Sequence, residues 1–191
     1  MDAILQPAGG LFSAGLLKLK IHSRQGHRLE LVHEAMAEVL LNDNCCLEAV
    51  LRTLVRPCPP ARLKFKEYPQ LRETLDLGKT ELVRTLAEDA GVDLYEVAYT
   101  DRYGNPLAGK DRLDSLRSAQ ALLGKRRTFL LFDEAEDIFS GASIFHRSLA
   151  DERKAWMNRM LEENRVPTFW LSNRVRDLDS AFVRRFDFVF E

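Results

Sequence analysis

The sequence predicts an α/β protein in which helices cover both faces of a parallel sheet, preceded by a small helical region. Three observations carry that expectation. From Leu77 onward strand-like and helix-like segments alternate, the pattern of a parallel sheet covered by helices. Phe129, Leu130, Leu131 and Phe132 form an unbroken apolar run, as expected of a strand buried on both faces. Ahead of these segments, apolar residues recur at three-to-four residue spacing, which is one face of a helix.

In chain order, residues 1–60 read as helices with short breaks. Leu11, Leu16, Leu17 and Leu19 lead into a polar turn at Ser23 to His27. Leu29, Val32, Ala35, Met36, Val39 and Leu40 then make one apolar helix face. Asp43 or Asn44 caps a second helix carrying Leu47, Val50, Leu51, Leu54 and Val55, which Pro57, Pro59 and Pro60 end. That proline-rich piece sets the expected organisation: a helical N-terminal region over 1–60, a linker over 61–77 and the main domain over 78–191. Gly78, Lys79 and Thr80 open a helix with Leu82, Val83, Leu86, Ala87 and Ala90 on one face, stopped by Gly91. A strand over Leu94 to Tyr99 follows, then a helix from Asp111 with Leu113, Leu116, Ala119, Leu122 and Leu123, closed by Gly124. After the strand ending at Asp133 come a segment from Ser140 to Ser148 that reads as mobile and a helix from Asp151 with Trp156, Met160 and Leu161. Asn164 stops that helix before an apolar strand, Val166 to Leu171, which ends at Ser172 and Asn173. Asp179 caps a last short helix, and Phe186 to Phe190 reads as a final strand.

Composition bounds the function classes. With 46% hydrophobic residues in 191, the chain has ample material for a core. Lys plus Arg 28 against Asp plus Glu 29 leaves a net charge of -1, so bulk electrostatics point to neither nucleic acid nor an anionic membrane. Cys45, Cys46 and Cys58 are odd in number and lack CxxC spacing, which reads as reduced thiols in a cytoplasmic protein. His22, His27 and His33 have no carboxylate or cysteine at ligand spacing and read as ordinary polar residues. The apolar patch from Leu11 to Leu19 is short and broken by Lys18, so it reads as neither signal peptide nor membrane span.

Chemistry-bearing residues cluster at the ends of predicted elements. Asp133 and Glu134 follow the buried strand directly, and in open α/β sheets ligands sit beyond the carboxyl ends of strands. In that setting Asp133 holds Mg²⁺ and Glu134 orients and polarises an attacking water. The same pair also fits a core strand running into an acidic helix N-terminus, and residue type alone leaves both readings open. Gly78, Lys79 and Thr80 look like the tail of a phosphate loop, with Lys79 reaching the β- and γ-phosphates and the Thr80 hydroxyl ligating Mg²⁺. Asn173 reads either as a group that hydrogen-bonds a γ-phosphate or its water, or as a turn residue. Arg184 and Arg185 read either as an arginine finger offered to a neighbouring subunit or as solvated charges.

In this order, the segments resemble the AAA+ ATPases. GKTELVRTLAEDAG is similar to the phosphate-loop helix, TFLLFDEAEDIF to a Walker B segment, WLSN to the end of the sensor-1 strand, and DSAFVRRFDFVFE to the arginine-finger helix and following strand. KAWMNRMLEENRVPTFWLSN resembles the AAA-type subgroup of bacterial ATPases that carry a helical N-terminal region. The resemblance covers residues 78–191. It implies a P-loop NTPase-like sheet with strand order 5-1-4-3-2, ATP and Mg²⁺ as ligands, and ATP hydrolysis coupled to protein remodelling in hexameric homo-oligomeric rings. By position it implies that Lys79 and Thr80 meet phosphate and Mg²⁺, with Gly78 beside them in the nucleotide-binding loop. Asp133 and Glu134 serve metal and water, Asn173 senses the γ-phosphate, and Arg184 with Arg185 act in trans.

Two departures qualify these expectations. Where a phosphate loop has its first glycine the chain has Glu73, and Thr74 to Leu77 supply no flexible nest for phosphates. An apolar strand before Gly78 is lacking as well, an expected deficit of roughly 15 to 25 residues. The small helical lid that follows the family's last strand is not represented, so the chain reads as a fragment, an internal deletion or a degenerate paralogue. The expected result is weak ATP binding or none. An alternative is a non-catalytic module that assembles with intact ATPase subunits and donates Arg184 and Arg185. Where the family carries a pore-loop aromatic the chain has Leu107, Ala108 and Gly109, and nearby Tyr103 reads as an ordinary loop residue.

Overall fold

The computed structural model describes residues 15–22, 26–32, 34–42, 45–64, 66, 78–139, 147–174, 178 and 180–190. In chain order its elements are β1 (Leu17–His22), β2 (Gly26–Leu31), α1 (Glu34–Leu40), α2 (Leu47–Leu54), β3 (Val55–Pro57), α3 (Lys79–Asp89), β4 (Asp93–Val97), α4 (Gly109–Leu123), β5 (Thr128–Phe132), α5 (Glu136–Phe139), α6 (Arg147–Glu162), β6 (Thr168–Trp170) and α7 (Ser180–Val183). They fall into two compact units, Met1–Arg56 with Val97–Arg126 and Pro57–Glu96 with Arg127–Glu191. α4 belongs to the same unit as the N-terminal elements.

The first unit corrects the all-helical expectation for residues 1–60. Residues 17–31 form an antiparallel hairpin, with Leu17 opposite Leu31 and His22 opposite Gly26. The sequence holds the reason. Leu17, Leu19 and Ile21 alternate with Lys18, Lys20 and His22, a period of two that suits a strand and defeats the helical spacing. The helices begin only at Glu34, and their core is built from Met36, Val50, Leu51, Leu54, Leu113, Leu116, Ala119 and Leu123. Two buried hydroxyls on α4 are satisfied by backbone oxygens: Ser115 Oγ donates to Asp111 O at 2.9 Å and Ser118 Oγ to Gly15 O at 2.8 Å.

The four-stranded sheet has order β3-β4-β5-β6, of which β5, β6 and all of β4 but Val97 lie in the second unit. β4 and β5 are parallel, Asp93 facing Thr128, and so are β5 and β6, Leu130 facing Thr168 and Phe132 facing Trp170. β4, β5 and β6 therefore lie side by side as the implied 4-3-2 part of the family order requires. β3 was not expected; Val55 leaves α2 in an extended conformation, and Pro57 is tolerated because β3 is an edge strand. Leu130, Leu131 and Phe132 are each fully buried, and because neighbours on a strand point to opposite faces, both faces of β5 are covered. On one face α3 lays Val83 and Ala87 against Leu94 and Leu131, with Phe129 meeting Phe169 edge-on at 5.4 Å. On the other, Phe132 stacks on Trp170 at 4.8 Å, and Phe186 meets Trp170 edge-on at 6.1 Å. α3 ends at Asp89 with Ala90 as its cap, and Gly91 follows with φ 60°, a left-handed position that suits glycine.

Several expected boundaries move. β4 stops at Val97 and β6 spans only Thr168–Trp170, while α6 begins at Arg147, a turn before Asp151. The final strand over Phe186 to Phe190 is not formed: Phe188 and Phe190 are 81% and 77% exposed. Alternating phenylalanines need a partner strand to become a ladder, and no described strand pairs with them. The expectations for Leu11, Ser23, His33, Asp43, Asn44, Glu73 to Leu77, Ser140 to His146 and Asp179 lie outside the described residues. No helix among the described residues is long and apolar enough to cross a membrane.

The first turns of α3 are also tied to the chain that follows β3. The Glu81 carboxylate accepts the backbone N–H groups of Arg62 and Leu63, the latter at 3.1 Å, while Thr85 Oγ1 donates to Leu63 O at 3.1 Å. Desolvation raises the Glu81 carboxyl pKa, but the Arg62 and Leu63 N–H groups and the Arg84 guanidinium outweigh it and hold it below 4.5. A depressed carboxyl stabilises above its unfolded value and loses that contribution as pH falls through the folded one. Amide-exchange protection at Arg62 and Leu63 is therefore expected to be full at neutral pH and to be lost only as pH falls below the ordinary carboxylate range, and Glu81→Ala to lose it at every pH. Unchanged protection in that variant would refute the tie.

Candidate functional site

The site grows from the parallel pairing of β5 and β6, which brings their carboxyl ends to one edge of the sheet. Beyond that edge the pairing continues through two backbone bonds. Leu171 N–H donates to Phe132 O at 2.9 Å, and Ala135 N–H donates back to Leu171 O at 2.8 Å. The turn from Asp133 to Ala135 is thereby clipped to the end of β6. Ala135 is buried and Glu134 exposed, so the clip turns the second acid outward. Glu134 has φ 53°, a left-handed conformation that costs a residue with a Cβ about 1–2 kcal/mol and is held here by the bonds on either side.

Asp133 is the meeting point of strand and helix. Its Oδ1 accepts the Glu134 N–H at 2.8 Å, and its Oδ2 accepts the Thr80 hydroxyl at 3.0 Å. Thr80 is brought there by α3, which Gly78 precedes with φ -154° and ψ 23°; Leu82 N–H closes the first turn on Gly78 O at 2.7 Å. Among the described residues a Cβ at Gly78 would meet nothing within 4 Å. Lys79 Nζ donates to Ser172 O at 3.2 Å and to Asn173 Oδ1 at 3.1 Å. Asn173 Nδ2 in turn donates to Glu136 Oε1 at 3.4 Å.

Lys79, Thr80, Asp133, Glu134 and Asn173 thus stand together at one edge, carried by α3, β5 and β6. Both partners of the Lys79 ammonium are neutral oxygens, so its charge is uncompensated by any acid among the described residues and suits an anion. Thr80 and Asp133 offer a hydroxyl and a carboxylate oxygen 3.0 Å apart, the hard oxygen donors that Mg²⁺ prefers. These residues fit a magnesium-bound phosphate; a glycine nest for the remaining phosphates is not offered by Glu73 to Leu77.

Arg184 and Arg185 stand apart from this group, with no hydrogen bond or ion pair joining either to it among the described residues. Arg185 is committed locally, its Nε donating to Glu162 Oε1 at 2.8 Å and its NH1 group to Ala181 O. Arg184 is exposed. Glu136 was missed by sequence reasoning, and the signal was the third acid of DEAED, overshadowed by the first two. Among the described residues no group of three or more His, Cys, Asp or Glu is placed to hold a metal ion without other donors.

A protein-family model described as the ATPase family associated with various cellular activities (AAA) matches residues 75–191. A comparison with curated proteins gives no match.

The conformation of Glu134 is directly testable. In urea unfolding, Glu134→Gly is expected to be more stable than Glu134→Ala by about 1 kcal/mol, since only alanine has a Cβ to strain at positive φ. The reverse order would remove the left-handed turn from the site.

Proposed function

The chain belongs to the AAA family of ATPases, and from that premise we propose that its site hydrolyses ATP with Mg²⁺, through Lys79, Thr80, Asp133, Glu134 and Asn173, to drive protein remodelling. The observation that carries the reading is the convergence of two pairs, Thr80 on Asp133 and Lys79 on Asn173. Thr80 and Asp133 are the residues that would hold Mg²⁺, which when bound supplies neutralisation of phosphate charge. The Lys79 ammonium and the N-terminal end of α3, next to Gly78, draw the phosphate anion in. Glu134, exposed beside Asp133, takes the proton of the attacking water and orients it. Asn173 offers its amide to the same water or to a phosphate oxygen.

Residues 78–191 act as the ATPase core in this proposal, with 61–77 as a linker and 1–60 as an accessory region. Assembly into a ring of like subunits fits Arg184, whose exposure suits a role on a neighbour's nucleotide, better than Arg185, which Glu162 restrains. Without a glycine nest the grip on nucleotide is weak, because positioning and electrostatics supply nearly all of phosphoryl-transfer catalysis. The same deficit favours one second reading, a module that hydrolyses nothing and lends Arg184 and Arg185 to intact AAA+ subunits.

Titration calorimetry with Mg-ATP is expected to give no binding in the micromolar range, and micromolar affinity would overturn the weak grip. At millimolar Mg-ATP the wild-type chain is expected to release phosphate, and Glu134→Gln to slow that release by about 100-fold or more. Equal rates for the two would sink the ATPase reading. The lending module would then be tested by mixing with an intact AAA+ paralogue, where Arg184→Ala should abolish any stimulation.

A further inference from the structure

The third acid of the DEAED stretch has no part in the chemistry above, yet the structure points it at Asn173. Glu136 Oε1 accepts from Asn173 Nδ2 at 3.4 Å. Its other oxygen, Oε2, is buried and has no hydrogen-bond partner among the described residues. A buried carboxylate oxygen left without a donor is unfavourable, and such groups are retained mainly where they serve a site.

The chemistry at the two ends of the Asn173 amide fixes its orientation. Lys79 Nζ carries only donors and Glu136, ionised, only acceptors. With Oδ1 on Lys79 and Nδ2 on Glu136 both contacts attract; turned over, an NH₂ group would face an ammonium and a carbonyl oxygen would face a carboxylate. Glu136 also cannot drift away from Asn173, because the Ala135 N–H to Leu171 O bond joins the residue before Glu136 to a residue just ahead of Asn173.

We propose that Glu136 is a positioning residue for Asn173, holding the amide with its oxygen on Lys79 and its N–H groups turned away from the anion that Lys79 attracts. Asn173 then occupies Lys79 until an anion displaces it, and it meets a phosphate oxygen through Nδ2 only by leaving Glu136. The inference takes from the proposed function only the identity of the anion. The contact itself exists without nucleotide, so the test below omits nucleotide and its failure is distinct from a failure to hydrolyse ATP.

The readout is the Asn173 side-chain NH₂ signal in ¹⁵N-labelled full-length protein, assigned by its loss in Asn173→Ala. In the wild type one proton of the pair is expected to be displaced from the ordinary asparagine region by the carboxylate. Glu136→Ala should lose that displacement, whereas Glu136→Gln, which keeps an acceptor oxygen at the same reach, should retain part of it. A merely structural acid at the start of α5 would leave the pair unmoved in both variants. An undisplaced wild-type pair, a pair unaffected by Glu136→Ala, or equal loss in the alanine and glutamine variants would each overturn the proposal. Should Glu136→Ala fail to fold, the wild-type displacement and its partial retention in the isosteric Glu136→Gln decide the question.

Discussion

The pairing of β5 with β6 is the constraint on which the rest of the site depends. Two short parallel strands, Thr128–Phe132 and Thr168–Trp170, align the residues after them as well as the residues within them. The Leu171 and Ala135 N–H bonds extend the alignment past the last ladder residues, so that Glu136 on one side meets Asn173 on the other. The force that maintains this register is burial. Phe132 is fully buried and stacked on Trp170, and a slip of one residue would exchange the two faces of β6 and undo that contact. Polar geometry at the site is therefore set by apolar packing just beneath it.

α3 supplies the remaining wall, and it is steered by contacts of two kinds. Val83 and Ala87 seat the helix on Leu94 and Leu131, which fixes its height above the sheet. Glu81 and Thr85 attach the chain at Arg62 and Leu63 to the adjoining turns, one by accepting from the backbone and the other by donating to it. Lys79 and Thr80 precede these anchors by only a few residues. Their reach to Asn173 and Asp133 consequently follows from packing of the helix body, and needs no glycine loop ahead of it. This explains how the Lys79 and Thr80 contacts are formed even though the sequence before Gly78 has no phosphate nest.

What was legible in the sequence divides along physical lines. The continuous apolar run of β5 announced a doubly buried strand, and the stop signal at Gly91 marked the turn just past the Ala90 cap of α3, since its left-handed φ suits glycine. The hairpin of β1 and β2 was misread because leucines at mixed spacing satisfy two periods, and only the intervening Lys18 and Lys20 discriminate between them. β3 was hidden by Pro57 at its end and by Pro59 and Pro60 just beyond it, since prolines signal a helix end equally well as an edge strand. The reverse error occurred at Phe186 to Phe190, where alternation was strong but no described strand pairs with the segment. At the site, residue types pointed to Lys79, Thr80, Asp133, Glu134 and Asn173, but no spacing in the chain could announce that Asn173 lies between Lys79 and Glu136. That relation spans 94 and 37 positions and exists only through the register of the sheet.

The geometry also separates two properties usually found together at phosphate sites. Groups that complement an anion or a cation are present: an ammonium held by neutral oxygens, a hydroxyl against a carboxylate, and the first turn of α3 after Gly78. Enclosure is a different requirement, met by backbone N–H groups wrapped around the anion, and Glu73 to Leu77 lack the glycines that such a wrap demands. Complementarity without enclosure attracts an anion but holds it loosely, because water competes for every donor that remains exposed. In that setting the groups that orient, rather than those that grip, carry more of the specificity. In the proposed site Glu134, turned outward by its left-handed backbone, and Asn173, held between a cation and an acid, would be the orienting groups, each placed by bonds at the end of the sheet.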